Sequence, residues 1–167
     1  MPELLALGEC GLLVRFSRNL TDQANAAAIR FAERLQSGTM PGVLEIVPSL
    51  VSVFVRYDPG KVAFADLAGQ LRLMLSERKD TAPRAHETVT ISVKFGGEGG
   101  PDLTEVARLC GLTEDEFISA HNQSQLRVLA TGFAPGFVYC GLHPAELNVP
   151  RRQQLHAQVP AGSILFA

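Results

Sequence analysis

Val43-Leu-Glu-Ile-Val-Pro-Ser-Leu-Val-Ser-Val-Phe-Val-Arg-Tyr57, followed by Asp58-Pro59-Gly60, decides how the first half of this chain folds. Val51, Val53 and Val55 alternate with Ser52, Phe54 and Arg56, the period-two signature of a half-buried strand. Val43 to Val47 and Leu50 to Tyr57 therefore read as a strand pair broken at Pro48-Ser49. Asp58-Pro59-Gly60 supplies turn chemistry. Ala63 to Arg78 then reads as a helix, with Phe64, Leu67, Leu71 and Met74/Leu75 as its buried stripe.

Upstream, the same order occurs once more. Leu4 to Leu7 and Leu12 to Phe16 are short apolar runs split by Gly8-Glu9-Cys10-Gly11, which predicts a β-hairpin. Thr21 to Ser37 is Ala-rich and spaces Ile29, Ala32 and Leu35 along one helical face. Thr21 or Asp22 can cap its start, and Gly38 can end it. Strand-strand-helix thus appears twice, and neither unit buries both its sheet face and its helix stripe alone. Packing the helices on one shared sheet solves this and predicts a two-layer α+β domain. A ferredoxin-like layout, with Val89 to Phe95 as a last strand, is the runner-up.

Downstream, Glu77 to Glu87 is polar, contains Pro83 and reads as a linker. Residues 1–82 form the expected α+β domain, and residues 83–167 a second one. Thr88 to Phe95 alternates Val89, Ile91, Val93 and Phe95 with polar residues, as a half-buried strand does. Gly96 to Pro101 is a loop. Asp102 with Glu105, and Thr113 with Glu116, both have capping-box spacing and open two short helices, the second running to about His121. Leu126 to Ala130 reads as a strand. From Thr131 onward the chain is dense in Gly and Pro, which suits a small β-barrel. Ile164-Leu165-Phe166-Ala167 is an apolar strand beginning at the last residues, so the barrel is expected to be incomplete at the C-terminus.

Composition narrows the function class. The chain has 167 residues, 46% hydrophobic and 19% charged, with a net charge of -2. That is ordinary globular composition, and it gives no electrostatic case for nucleic acid or an anionic membrane. The N-terminus has no basic region, and no apolar run approaches the ~20 residues that span a bilayer. Cys10, Cys110 and Cys140 are far apart and odd in number, as expected of reduced thiols in a cytoplasmic protein.

The most unusual stretch is Thr131-Gly132-Phe133-Ala134-Pro135-Gly136-Phe137-Val138-Tyr139. Two glycines permit close approach or positive φ, proline fixes φ, and three aromatics supply flat walls. A rigid loop beside an apolar pocket fits this composition, and so does a barrel corner with its aromatics in the core. Arg151 and Arg152 are adjacent guanidinium forks suited to carboxylate or phosphate; a solvated pair is the plain alternative. Val159-Pro160-Ala161-Gly162-Ser163 is a turn into a strand, and Ser163 lacks the frame of an activated nucleophile. Gly96 to Gly100 precedes a helix but has no Walker lysine and carries Glu98, so turn chemistry is its expected role. His86, His121, His143 and His156 have no metal-ligand spacing, and no metal site is expected. His121 ends a helix, where a cation complements the dipole.

Taken together, Gly132-Phe133-x-Pro135-Gly136-Phe137-x-Tyr139, Pro150-Arg151-Arg152 and Val159-Pro160-Ala161-Gly162-Ser163 resemble the KipI family. This family is also called allophanate hydrolase subunit 1 and includes the B subunit of bacterial 5-oxoprolinase (PxpB). Gly97-Glu98-x-Gly100-Pro101-Asp102-Leu103, Gly111-Leu112-Thr113 with Glu116 and His121, Gly42-Val43 with Val47-Pro48, and Tyr57-Asp58-Pro59 are similar to the family too. The resemblance runs in order along nearly the whole chain. Departures are Leu126 in place of an aromatic, Gly99 in place of an apolar residue, Cys140-Gly141 where Leu-Gly-Gly is common, and Leu155-His156 in place of Pro-Arg.

The resemblance implies an α+β domain joined to a cyclophilin-like barrel. It implies a cytoplasmic role in nitrogen metabolism as the B subunit of an ATP-dependent 5-oxoprolinase, a hydrolase opening 5-oxoproline to glutamate alongside A and C subunits, the latter KipA-like. Such a chain is a non-autonomous subunit, with ATP bound by the complex. Alternatives within the family are an inhibitor of a sensor histidine kinase and a subunit associated with allophanate hydrolase or urea carboxylase. On the enzyme reading, Arg151 and Arg152 hold anionic groups. Gly132, Pro135 and Gly136 shape a substrate pocket, Phe133, Phe137 and Tyr139 wall it, Pro160, Gly162 and Ser163 border it, and His121 is the candidate for proton transfer.

Overall fold

A computed structural model of the chain describes residues 2–77, 88–150, 152 and 158–166. The first elements are β1 (Glu3–Leu7), β2 (Gly11–Arg15), α1 (Asp22–Gln36), β3 (Val43–Ser49), β4 (Ser52–Tyr57) and α2 (Phe64–Ser76). The strand-strand-helix order read from the sequence is thus present twice. The four strands form one antiparallel sheet in the order β1-β2-β4-β3.

Alternation decides which face of this sheet is covered. Leu12, Val14, Val53, Val55 and Tyr57 point to one side and form a single core with Ala28, Phe31, Ala32 and Leu35 of α1 and Leu67, Ala68 and Leu71 of α2. Leu12, Val53, Val55 and Leu71 are fully buried, each such side chain stabilising the fold by roughly 1.5–3 kcal/mol. The stripe of α2 is the expected one, with Phe64, Met74 and Leu75 at its partly buried margin. On α1 the buried face is Ala24, Asn25, Ala28, Phe31, Ala32 and Leu35. Ile29 stands at its flank, because small alanines let the helix sit close to the sheet and rotate Phe31 inward. Thr21 caps α1 by accepting a hydrogen bond from the Ala24 amide at 3.2 Å.

The turn between β3 and β4 falls later than the sequence suggests. Pro48 stays inside β3, opposite Val53, and the chain reverses at Leu50 and Val51, with Leu50 at φ 49°. Pro48 is tolerated because β3 is an edge strand, where a missing N–H leaves no ladder partner unpaired.

The remaining elements are α3 (Leu103–Leu109), α4 (Glu114–Gln123), β5 (Arg127–Thr131) and β6 (Val138–Gly141), with single 3-10 turns at Gly97–Gly99 and Ala145–Leu147. The chain forms two compact units, Met1–His86 with Val128–Cys140, and Glu87–Arg127 with Gly141–Ala167. Most of the β5–β6 hairpin therefore groups with the first unit. The linker expected at Glu77–Glu87 lies, apart from Glu77, outside the described residues.

One expectation for the second half is corrected. Residues 88–95 form no strand, and Val89 and Ile91 are exposed. The alternation is genuine, but a strand needs a partner ladder, and none is present for it among the described residues. The ferredoxin-like layout fails with it, since the sheet has four strands and 88–95 is not one of them. Among the described residues there is also no closed barrel: β5 and β6 make a two-stranded sheet. The second unit is instead organised by helices, with Ala107, Phe117 and Leu147 at the centre of its core. No helix among the described residues is long and apolar enough to cross a membrane.

Candidate functional site

The loop joining β5 to β6 is built by its glycines. Gly132 has φ 139° and Gly136 φ 80°. A Cβ at either would meet nothing within 4 Å, so glycine is required there by backbone angle and not by close approach. The Gly132 N–H donates to the Phe137 carbonyl at 3.2 Å, and the Phe137 N–H donates to the Ala134 carbonyl at 3.0 Å. These bonds close the loop on itself. Pro135 has no N–H, so the loop's remaining candidate donors are the N–H groups of Phe133, Ala134 and Gly136.

The closed loop holds its aromatics in a row. Phe133 and Phe137 meet edge-to-face at 5.4 Å between centroids, and Phe137 and Tyr139 at 5.0 Å. Phe133 is 89% exposed and sits at φ 67°, a left-handed conformation that is rare for a bulky residue. An exposed aromatic held in a strained backbone marks a functional surface more often than a packing one. The aromatics are therefore not core residues of a barrel corner; Phe137 is half-buried and Tyr139 exposed.

Arg152 is placed differently. Its guanidinium lies 2.9 Å from Asp102 Oδ2 and 2.9 Å from Glu105 Oε2. The hydrogen bond to Asp102 raises the Arg152 pKa above its ordinary value. Asp102 and Glu105, one turn apart at the start of α3, thus form a fork for a cation. The capping box expected of this pair is not made: Asp102 has helical φ and ψ and no side-chain cap bond. Arg151 lies outside the described residues, as does the Leu155-His156 departure. Pro160, Gly162 and Ser163 form an exposed turn in which the Ser163 N–H donates to the Pro160 carbonyl at 3.2 Å.

His121 sits in an aromatic cluster of the second unit. Its ring is 5.4 Å from Phe95, 6.2 Å from Phe117 and 5.4 Å from His143. The Nδ1 atoms of both histidines are buried without a protein hydrogen-bond partner. Sequence reasoning missed His143, which is 22 positions away and carries no local signal. Among the described residues, no three His, Cys, Asp or Glu side chains gather as metal ligands do.

The family model of the carboxyltransferase domain, subdomain C and D, matches residues 2–167. The 5-oxoprolinase B subunit of Bacillus subtilis (strain 168) is 30% identical over 171 residues, covering 96% of this chain and 71% of that protein. The 5-oxoprolinase B subunit of Escherichia coli O157:H7 is 34% identical over 160 residues, covering 95% of this chain and 71% of that protein. The chain belongs to the family of 5-oxoprolinase B subunits. The crystal structure of TTHA0988 superimposes with a TM-score of 0.71 at 31% identity, covering 90% of this chain but only 29% of that one. The K. lactis urea amidolyase shares the fold over 78% of this chain, at TM-score 0.53 and 16% identity.

Within this family member, the site expected from sequence divides into parts. Gly132, Phe133, Pro135, Gly136, Phe137 and Tyr139 are brought together on one hairpin. Arg152 is engaged by carboxylates, and His121 stands among rings. The signals that found the loop were compositional, whereas the Arg152 fork depends on a contact 47 residues apart along the chain.

Proposed function

We propose that this chain is the B subunit of an ATP-dependent 5-oxoprolinase, acting in the cytoplasm with an A subunit and a KipA-like C subunit. The observation that carries the reading is identity of 34% and 30%, across about the whole chain, to two 5-oxoprolinase B subunits. The net reaction converts 5-oxoproline, ATP and two water molecules to glutamate, ADP and phosphate. A lactam carbonyl resists attack because the nitrogen lone pair is delocalised into it. Transfer of the γ-phosphoryl group from ATP to the amide oxygen releases ADP and makes that carbon electrophilic. One water adds and the C–N bond breaks to leave the amine and an acyl phosphate, which a second water hydrolyses to glutamate and phosphate.

In this scheme the Gly132–Gly136 loop presents backbone donors, and the Phe133, Phe137 and Tyr139 rings form a wall that excludes water beside the developing charge. The rigid closure of the loop and its outward aromatics support that role. ATP is assigned to the assembly. Arg152 already faces two carboxylates, and the glycine turn at 97–99 carries Glu98, so neither suits a triphosphate. His121, whose Nδ1 is buried in the aromatic cluster of the second unit, is given no step in this scheme. The β5–β6 hairpin is offered as part of an incomplete cyclophilin-like barrel.

The test is Phe137→Ala in the reconstituted three-subunit assembly. Turnover should drop by about tenfold or more while the assembly remains intact on gel filtration, consistent with loss of a positioning contact. Unchanged turnover and unchanged KM would remove the loop from the site. The outward Phe133 favours one second reading, a protein-docking surface as in the kinase-inhibitor branch of the family. In that case Phe133→Ala abolishes capture of a kinase and leaves lactam-dependent ATP hydrolysis untouched.

A further inference from the structure

The second unit contains a pair of titratable rings that the proposed reaction does not use. His121, on the last turns of α4, and His143, just ahead of the Ala145–Leu147 turn, lie 5.4 Å apart between centroids at an interplanar angle of 39°. Phe166 packs on both, at 4.7 Å from His143 and 6.1 Å from His121. Phe95 meets His121 edge-on, and Phe117 closes the cluster against Phe166 at 5.3 Å. Phenyl rings from separate stretches of chain are thus gathered around two imidazoles. Each imidazole has a buried Nδ1 with no protein acceptor to stabilise a proton there.

We propose that the His121–His143 pair is an acid-sensitive fastener of the second unit, closed while His143 is neutral and opened when it takes a proton. Burial of a cation beside apolar rings is costly, and a second cation about 5–6 Å away adds repulsion. Among the described residues, no acidic group is placed to offset this. From α3 the neighbouring titratable group is Cys110, whose thiol burial pushes up, keeping it neutral. Arg108 of the same helix is exposed. On α4 the acidic groups Glu114, Asp115 and Glu116 occupy the opposite end, and Glu116 is engaged by Thr113. Lys94, beside Phe95, is exposed and lies along Gly99, and Glu146 of the 3-10 turn is exposed.

The linkage has a definite sign. Burial first, and the neighbouring His121 second, lower the His143 pKa from its ordinary value of 6.5. The unfolded chain therefore binds more protons than the folded one as pH falls below 6.5. Stability drops through that window and levels off once pH passes below the lowered folded value. Glu3 and Glu116 have pKa values lowered from the usual carboxylate range and remain ionised there, so they do not mask the effect.

The test is the unfolding equilibrium of the full chain between about pH 7.5 and 5.0, for the native protein, His143→Gln and His143→Phe, alongside NMR titration of the histidine C2 protons. The native unfolding constant should rise by up to about tenfold per pH unit below 6.5 relative to His143→Gln, the limit for one linked proton. The His143 resonance should titrate below 6.5. Parallel pH profiles for all three proteins, or a His143 resonance titrating at or above 6.5, would overturn the proposal. If the Phe variant does not fold, the Gln variant and the NMR titration still decide the matter.

Discussion

The side-chain amide of Asn25 donates to the Leu129 carbonyl at 3.2 Å, across 104 positions of sequence, and to the Leu50 carbonyl at 2.6 Å. The Leu50 N–H in turn donates to the Leu129 carbonyl at 3.2 Å. One fully buried polar residue on α1 therefore ties the β3–β4 turn to the strand that leads into the aromatic loop. Asn25→Leu keeps the branched shape and removes the donor, taking a partner from the buried Leu129 carbonyl and from the part-buried Leu50 carbonyl. It should cost about 1–3 kcal/mol, read as a lower urea midpoint. Amide exchange in residues 128–140 should quicken more than exchange in β2.

Phe133 shows where fold and function part. Its left-handed φ costs about 1–2 kcal/mol for a side chain with a Cβ, and its ring is largely in solvent. Phe133→Gly should leave the thermal midpoint unchanged or raise it slightly, while lowering turnover of the assembled enzyme. A stability loss would show instead that the ring packs against the fold.

Gly11 is required by contact. A Cβ there would collide with the Leu7 carbonyl oxygen and stand 2.7 Å from the Phe54 ring, which lies across the outer face of the sheet. Gly11→Val should destabilise by about 1–3 kcal/mol through overpacking, and Gly11→Val with Phe54→Ala should recover part of it. A double-mutant cycle on denaturant midpoints checks this.

Thr113 and Glu116 make the full capping box of α4: the Glu116 N–H donates to Thr113 Oγ1 at 3.3 Å, and the Thr113 N–H donates to Glu116 Oε2 at 2.8 Å. Thr113→Ala should cost about 1 kcal/mol at neutral pH. The Thr113 amide, and after it the Thr113 hydroxyl, lower the Glu116 pKa, and Thr113→Ala keeps the first bond and removes the second. The hydroxyl's contribution is complete above the unfolded value near 4.5 and fades as pH falls below it, so that part of the penalty should shrink in acid. Chemical unfolding of wild type and variant at about pH 7 and pH 4 measures the difference.

These residues also show how far the sequence could be read. The first unit was legible because alternation at Val51–Val55 and the stripe Leu67–Leu71 are local patterns that a two-layer packing satisfies directly. Thr113–Glu116 was legible for the same reason. Asp102–Glu105 has identical spacing, yet its carboxylates turn to Arg152, and no local rule separates a cap from a cation fork. Residues 88–95 alternate as a strand does, but pairing depends on a partner that alternation does not supply. The loop at 132–139 stood out by composition. That its aromatics face outward, and that His143 meets His121, are consequences of tertiary packing.

The most direct test of the account is 5-oxoproline-dependent ATP hydrolysis by this chain assembled with its A and C subunits, against the same mixture lacking this chain. Turnover should require all three, with glutamate and phosphate formed in equal amounts. Full activity without this chain, or none in its presence when all three chains co-elute, would contradict its assignment as the B subunit.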